Sequence, residues 1–189
     1  MIDYNKISPR THIVLDGQPY EVLDSHIFRK QMRKPVNQTK LKNLITGKVV
    51  ERTFQQSDKA EEADLSSKKV VFIYSRQNEC WFHTSGNRSE RFSVSEDVIG
   101  NKKQFLKEGS ETEALIFDEK IIAFRIPIKV DLEVAEAPPA TKGNTAQGGD
   151  KRVILETGAS VTTPLFINVG DIVRVNTETG EYVERVEKN

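Results

Sequence analysis

The residues able to do chemistry are few and scattered. Cys80 is the only cysteine, so the chain has no internal disulfide and no cysteine-built zinc site. No base lies near it in sequence, and its expected place is a buried position beside Trp81. His12, His26 and His83 are far apart and show no metal-ligand spacing. Glu61, Glu62 and Asp64 cluster in a polar stretch, where a solvated acidic loop is the expected state. A glycine-rich run over 142–151 opens a strand-like segment, and it lacks the helix N-terminus that makes a phosphate loop strong. The sequence contains no Walker loop, dinucleotide fingerprint or serine nucleophile elbow. These residues support neither an enzyme nor a cofactor or metal site.

Cations are another matter. Arg29, Lys30, Arg33, Lys34, Lys40 and Lys42 fall within 28–42 with no acid among them. The whole chain is formally neutral, with 28 basic and 28 acidic residues. Residues 29–52 hold about eight cations and one acid, Glu51, whereas 131–189 hold about ten acids and six cations. A basic front end of this kind suits a partner rich in phosphate.

The elements that must carry these residues read as strands almost throughout. Two short strands flank Asp16 and Gly17, a tight-turn pair. Alternation places Phe28 and Val36 on the flanks of a hairpin, with Gln31 to Lys34 at its tip. Pro35 cannot donate to a ladder and ends the pairing there. Residues 55–69 are polar and read as a linker or loop. Residues 95–109 are the best helix candidate, capped by Ser95 and stopped by Gly109, although Gly100 weakens it. A further hairpin turns at Asp118, Glu119 and Lys120. After Pro127 come strands with turns at Gly158, Gly170 and Gly180. At 189 residues, with 37% apolar and 30% charged, this is soluble all-β material in three small barrels. No apolar run is long enough to cross a bilayer as a helix, and the first residues show no secretory layout.

Several stretches carry a resemblance. "VLDGQPYEV", "KLKNLITGKVVERTF", "ECWFHTS" and the long run from Lys151 through Gly158, Val161, Pro164 and Leu165 to Gly170 resemble bacterial translation elongation factor P over the full length. The resemblance implies an SH3-like (KOW-type) N-terminal barrel over 1–64 followed by two OB-fold barrels, 65–128 and 129–189, in an L-shaped, tRNA-like arrangement. It implies a cytoplasmic, monomeric, non-enzymatic factor. Such a factor binds both ribosomal subunits beside the P-site peptidyl-tRNA and helps stalled ribosomes join consecutive prolines.

The resemblance also assigns residues. Lys30, Gln31, Met32, Arg33 and Lys34 match the loop directed at the peptidyl-transferase centre. Family members often carry a modified lysine or arginine there, in a Pro-Gly-Lys-Gly type loop, whereas this chain has no glycine in the loop. Counted forward from Phe28, Arg33 is the tip; counted back from Lys40, Met32 is. Arg33 is the expected tip and the candidate for modification by a dedicated enzyme. Gly143, Asn144 and Thr145 match a loop near the exit-site codon, with Asn144 where aspartate is usual. Tyr182 and Arg185 match residues facing the small subunit and the tRNA anticodon stem. Two other readings stay open: a paralogue with narrower stall specificity, and a generic single-strand-binding OB protein using Trp81, Phe82 and Phe92.

Overall fold

The computed structural model describes residues 1–29, 34–139 and 149–188. Among them, sixteen strands form three sheets. Sheet one holds β1 (Ile2–Asp3), β2 (His12–Leu15), β3 (Gln18–Phe28), β4 (Val36–Asn43), β5 (Val49–Gln55) and β6 (Lys59–Glu62), in the order β1-β6-β2-β3-β4-β5. Sheet two holds β7 (Leu65–Arg76), β8 (Glu79–Thr84), β9 (Asn87–Ser95), β10 (Glu111–Phe117) and β11 (Lys120–Arg125), in the order β11-β10-β7-β8-β9. Sheet three holds β12 (Lys129–Glu136), β13 (Asp150–Leu155), β14 (Ser160–Pro164), β15 (Ile172–Asn176) and β16 (Tyr182–Glu187), in the order β14-β13-β12-β15-β16. The chain packs as two compact units, 1–68 with 114–123, and 69–113 with 124–189. No helix among the described residues is long and apolar enough to cross a membrane.

Turn chemistry sets the pairing. Asp16 and Gly17 both have positive φ, 51° and 72°, the two-residue turn whose twist matches its flanking strands. It fixes Leu15 opposite Gln18, and so Ile13 opposite Tyr20. Asp118 and Glu119, at φ 50° and 62°, play the same part between β10 and β11. In β4 the alternation is complete: Asn37, Thr39, Leu41 and Asn43 face in, and Gln38, Lys40 and Lys42 face out.

Each sheet has an apolar side. Under sheet one, Ile7, Ile13, Val22, Leu41, Phe54 and Ala60 make one cluster. In sheet two, Phe82 is fully buried against Phe72, Phe92 and Phe124, the last with ring centroids 4.7 Å apart. Sheet three closes over Leu132, Val134, Val153, Leu155, Val161, Ile167, Val173 and Val175. Full burial of one such side chain stabilises by about 1.5–3 kcal/mol, so these clusters dominate each fold.

Two stretches differ from the expectation. The polar run 55–69 is not a plain linker, because β6 lies within it and pairs with both β1 and β2. One buried residue, Ala60, carries its inward face, too little apolar signal to stand out. The helix over 95–109 is only one turn long. Ser95 caps it, its hydroxyl accepting from the Asp97 amide, and α1 spans Glu96–Ile99. Gly100 then takes φ 64° and the chain continues as a 3-10 turn, Gly100–Phe105. That conformation ends an α-helix and suits glycine. The turn brings Phe105 into the apolar core of sheet three.

Candidate functional site

The cationic stretch is mounted on the β3–β4 hairpin. Its last rungs pair His26 with Gln38, Ile27 with Asn37 and Phe28 with Val36. The rings of His26 and Phe28 stack at 5.9 Å on the outer face of β3. Asn37 anchors the inner face. It is completely buried, and its Nδ2 donates to the Tyr4 carbonyl at 2.7 Å and the Ile7 carbonyl at 2.9 Å. One side-chain amide thereby ties the N-terminal segment to the distal rungs of the arm. Thr39 ties the other side, its hydroxyl donating to the Arg52 carbonyl at 2.9 Å.

The register divides the cations into two groups. Lys40 lies opposite Asp24 on β3 and Glu51 on β5, and Lys42 lies opposite Glu21. Cross-strand neighbours of opposite sign offset one another. Lys34, by contrast, is exposed just beyond the last paired rung. Positive charge on this arm therefore collects toward its end. Lys30, Gln31, Met32 and Arg33 lie outside the described residues, as do Gly143, Asn144 and Thr145.

Tyr182 and Arg185 come together on β16. Tyr182 is half-buried, packs against the core of sheet three and stands opposite Val175; burial is the main cause pushing its phenol pKa up. Arg185 stands opposite Val173. Its guanidinium lies 5.1 Å from the centre of the Phe166 ring, which is 54% exposed. Its Nη1 donates to Oδ2 of Asp171 at 3.4 Å. That carboxylate is 1% exposed and also accepts from the Asn168 amide at 2.9 Å. A ring on one side and a buried carboxylate on the other hold the guanidinium in place, as fits its flat fork. Sequence reading missed Asp171 and Phe166. Their turn, closed by Gly170, is visible in the sequence, but their meeting with Arg185 depends on the β15–β16 register.

Asp171→Asn tests this hold. The substitution removes the buried charge and should cost about 1.5–3 kcal/mol, the range for hydrogen bonds to a charged group. Urea unfolding measures it, and a change within experimental error would mean that the ring alone holds Arg185.

Nearby, Arg174 makes a fork to Asp131, Nε to Oδ1 at 2.7 Å and Nη2 to Oδ2 at 2.9 Å, while Nη1 reaches Glu184 at 2.7 Å. The fork holds the Asp131 carboxyl below its usual range. This three-strand clasp braces β12, β15 and β16 on the outer face.

Residues that might have done chemistry are occupied structurally. Cys80 is buried, and burial first, then Glu96, pushes its thiol pKa up, away from a reactive thiolate. His83 shares a 2.8 Å hydrogen bond with the Thr84 carbonyl. Among the described residues, no group of three or more His, Cys, Asp or Glu could hold a metal. Trp81, Phe82 and Phe92 do not form one stacking row, since Phe82 faces the core while Trp81 stands on the other side of β8.

Comparison with known proteins gives the frame. Residues 4–60 match the family described as "Elongation factor P (EF-P) KOW-like domain", and residues 130–185 match "Elongation factor P, C-terminal". Elongation factor P of Brachyspira hyodysenteriae is 40% identical over 188 residues, covering 100% of both chains. That of Hydrogenobaculum sp. is 39% identical over 187 residues, covering 99% of this chain and 96% of the relative. A solved structure of eukaryotic translation initiation factor 5A from Methanococcus jannaschii shares the fold at 12% identity with a TM-score of 0.51, covering 66% of this chain and 89% of that one. These likenesses define an all-β, multidomain, non-enzymatic translation factor of the KOW and OB kind. The chain belongs to the elongation factor P family and is a translation elongation factor.

Proposed function

We propose that this factor binds the ribosome beside the P-site peptidyl-tRNA and speeds peptide-bond formation at stalled sequences, above all consecutive prolines. The observation that carries this is an arm pinned by Asn37 and Thr39, with positive charge collected at its end, in a chain matched end to end by elongation factor P relatives. The factor breaks and forms no bond itself. It holds the acceptor end of the tRNA, and catalysis comes from positioning, which can remove several kcal/mol from a barrier.

In this reading the loop of Lys30, Gln31, Met32, Arg33 and Lys34 faces the peptidyl-transferase centre. Arg33 supplies the leading guanidinium, whose fork of donors suits phosphate, either bare or modified by a dedicated enzyme. Gly143, Asn144 and Thr145 approach messenger RNA in the exit site. Tyr182 and Arg185 face the small subunit and the anticodon stem, and the hold on Arg185 supports this by fixing the guanidinium before contact. The modules are an SH3-like barrel over 1–64 and OB barrels over 65–128 and 129–189. The protein acts as a monomer in the cytoplasm.

The test is reconstituted synthesis of a peptide with three consecutive prolines, using unmodified protein and Arg33→Ala. The unmodified protein should relieve the stall, and the variant should be about tenfold slower, the low end for losing a hydrogen bond to a charged group. Equal relief by both would move the tip role away from Arg33. No relief by either, with an unchanged intact mass for the protein from its own cells, would overturn the proline-stall assignment.

A further inference from the structure

The outer face of sheet two has a feature that the ribosomal reading does not use. Phe72 pairs with Phe82, and the next pair is Tyr74 with Trp81, so Ile73 is an extra residue on β7. Strict alternation would send Tyr74 into the core with Phe72. The bulge turns it outward instead, to the side of Trp81. Tyr74 is 45% exposed, and its ring stacks on that of Trp81 at 6.1 Å with 22° between planes. The result is an aromatic ledge open to solvent.

Beside the ledge runs an open groove of about 890 Å³ that includes Ile73, His83, Arg88 and Arg91. Arg91 pairs across the ladder with His83, which pairs with Val71. The Nε of Arg91 donates to the Arg88 carbonyl at 3.3 Å, and neither arginine makes an ion pair among the described residues. Glu108 and Glu111 line the groove as well, and Glu111 accepts from the Ser85 hydroxyl at 3.1 Å. A phosphate is therefore welcome only on the β9 side. A stacking surface next to a row of guanidinium groups on an OB-type sheet is the chemistry of unpaired nucleic acid. A structural pair of aromatic rings would need neither the outward bulge nor the neighbouring arginines.

We propose that this face binds single-stranded RNA, with one base on the Tyr74–Trp81 ledge and two successive backbone phosphates on Arg88 and Arg91. The proposal stands apart from the stall-relief reading, because it concerns the free protein and is tested without ribosomes.

Trp81 is the only tryptophan, so its fluorescence reports this face alone. The full-length protein is titrated with a single-stranded oligoadenylate of about twelve nucleotides, within the size range that OB folds cover. The expected result is saturable, salt-dependent quenching. Tyr74→Ala should weaken binding at least about fivefold, the low end for losing one stacked base, while Tyr74→Phe should retain it. Arg88→Ala with Arg91→Ala leaves the core untouched, and it should lower the slope of log affinity against log salt by about 1.4, roughly 0.7 for each single-strand phosphate contact. No quenching would overturn the proposal. So would quenching that neither the tyrosine nor the arginine variants change, or quenching by an RNA duplex as strong as by the single strand.

Discussion

Phe105→Ala is expected to destabilise the second compact unit by about 3–5 kcal/mol, the usual cost of truncating a buried aromatic. The side chain is 3% exposed and belongs to the same cluster as Leu132, Val134, Ile167 and Val173. It reaches them from the 3-10 turn that follows α1, so a residue outside sheet three fills part of that sheet's core. Two ion pairs flank it, Lys102 with Glu178 at 3.8 Å and Lys107 with Glu156 at 2.9 Å. Both are largely solvated and should contribute under about 1 kcal/mol each. The ring is the joint and the charges are trim. Urea unfolding followed by circular dichroism and by Trp81 fluorescence separates the cases. The variant should unfold at lower urea by both probes, or in two separated steps. Replacing Lys102 and Lys107 together with alanine should barely move the midpoint. A loss below about 1 kcal/mol in Phe105→Ala would show that the core of sheet three closes without it.

Asn37→Ala should be the most damaging polar change in the first unit. Two carbonyls, of Tyr4 and Ile7, depend on its Nδ2. Leaving a buried acceptor unsatisfied costs about 1–3 kcal/mol. Against this, the Oδ1 of Asn37 is itself buried without a partner, so its removal returns part of the loss. A net cost of about 2–4 kcal/mol is expected from the same range. The local signature matters more than the total. Amide exchange over residues 2–8 should speed up well before the rest of sheet one opens, because the tie between the N-terminal segment and the arm is gone. Unchanged exchange there would mean that the burial of Ile7, not the amide, anchors the segment.

Much of the fold was legible where turn chemistry and alternation coincide. Asp16 with Gly17 and Asp118 with Glu119 mark turns that the structure contains, and Phe28 faces Val36 as the alternation requires. Three things were not legible. β6 hides in a polar run because it buries only Ala60. The helix over 95–109 stops after one turn because Gly100 adopts a positive φ, which a propensity sum treats only as a weak cost. The bulge at Ile73 changes which way Tyr74 faces, and no periodic reading of β7 contains that step. Sites suffered more than elements. The spacing of Arg185 and Asp171 says nothing of their meeting, which follows from a ladder between β15 and β16 that itself carries two irregularities.

The β3–β4 hairpin has one more consequence, concerning reach. Five consecutive rungs, from Asp24 opposite Lys40 through Phe28 opposite Val36, form a graduated rod when the strands rise about 3.4 Å per residue. Deleting one residue from each strand would turn every remaining side chain on the distal part to the wrong face, sending Asn37 outward and Gln38 inward. Deleting two from each would preserve the faces and retract the end by about 7 Å. The arm can therefore be lengthened or shortened only in paired steps. A factor that must touch a target at a fixed depth is in this way held to one discrete length, with neighbouring lengths a whole 7 Å increment away.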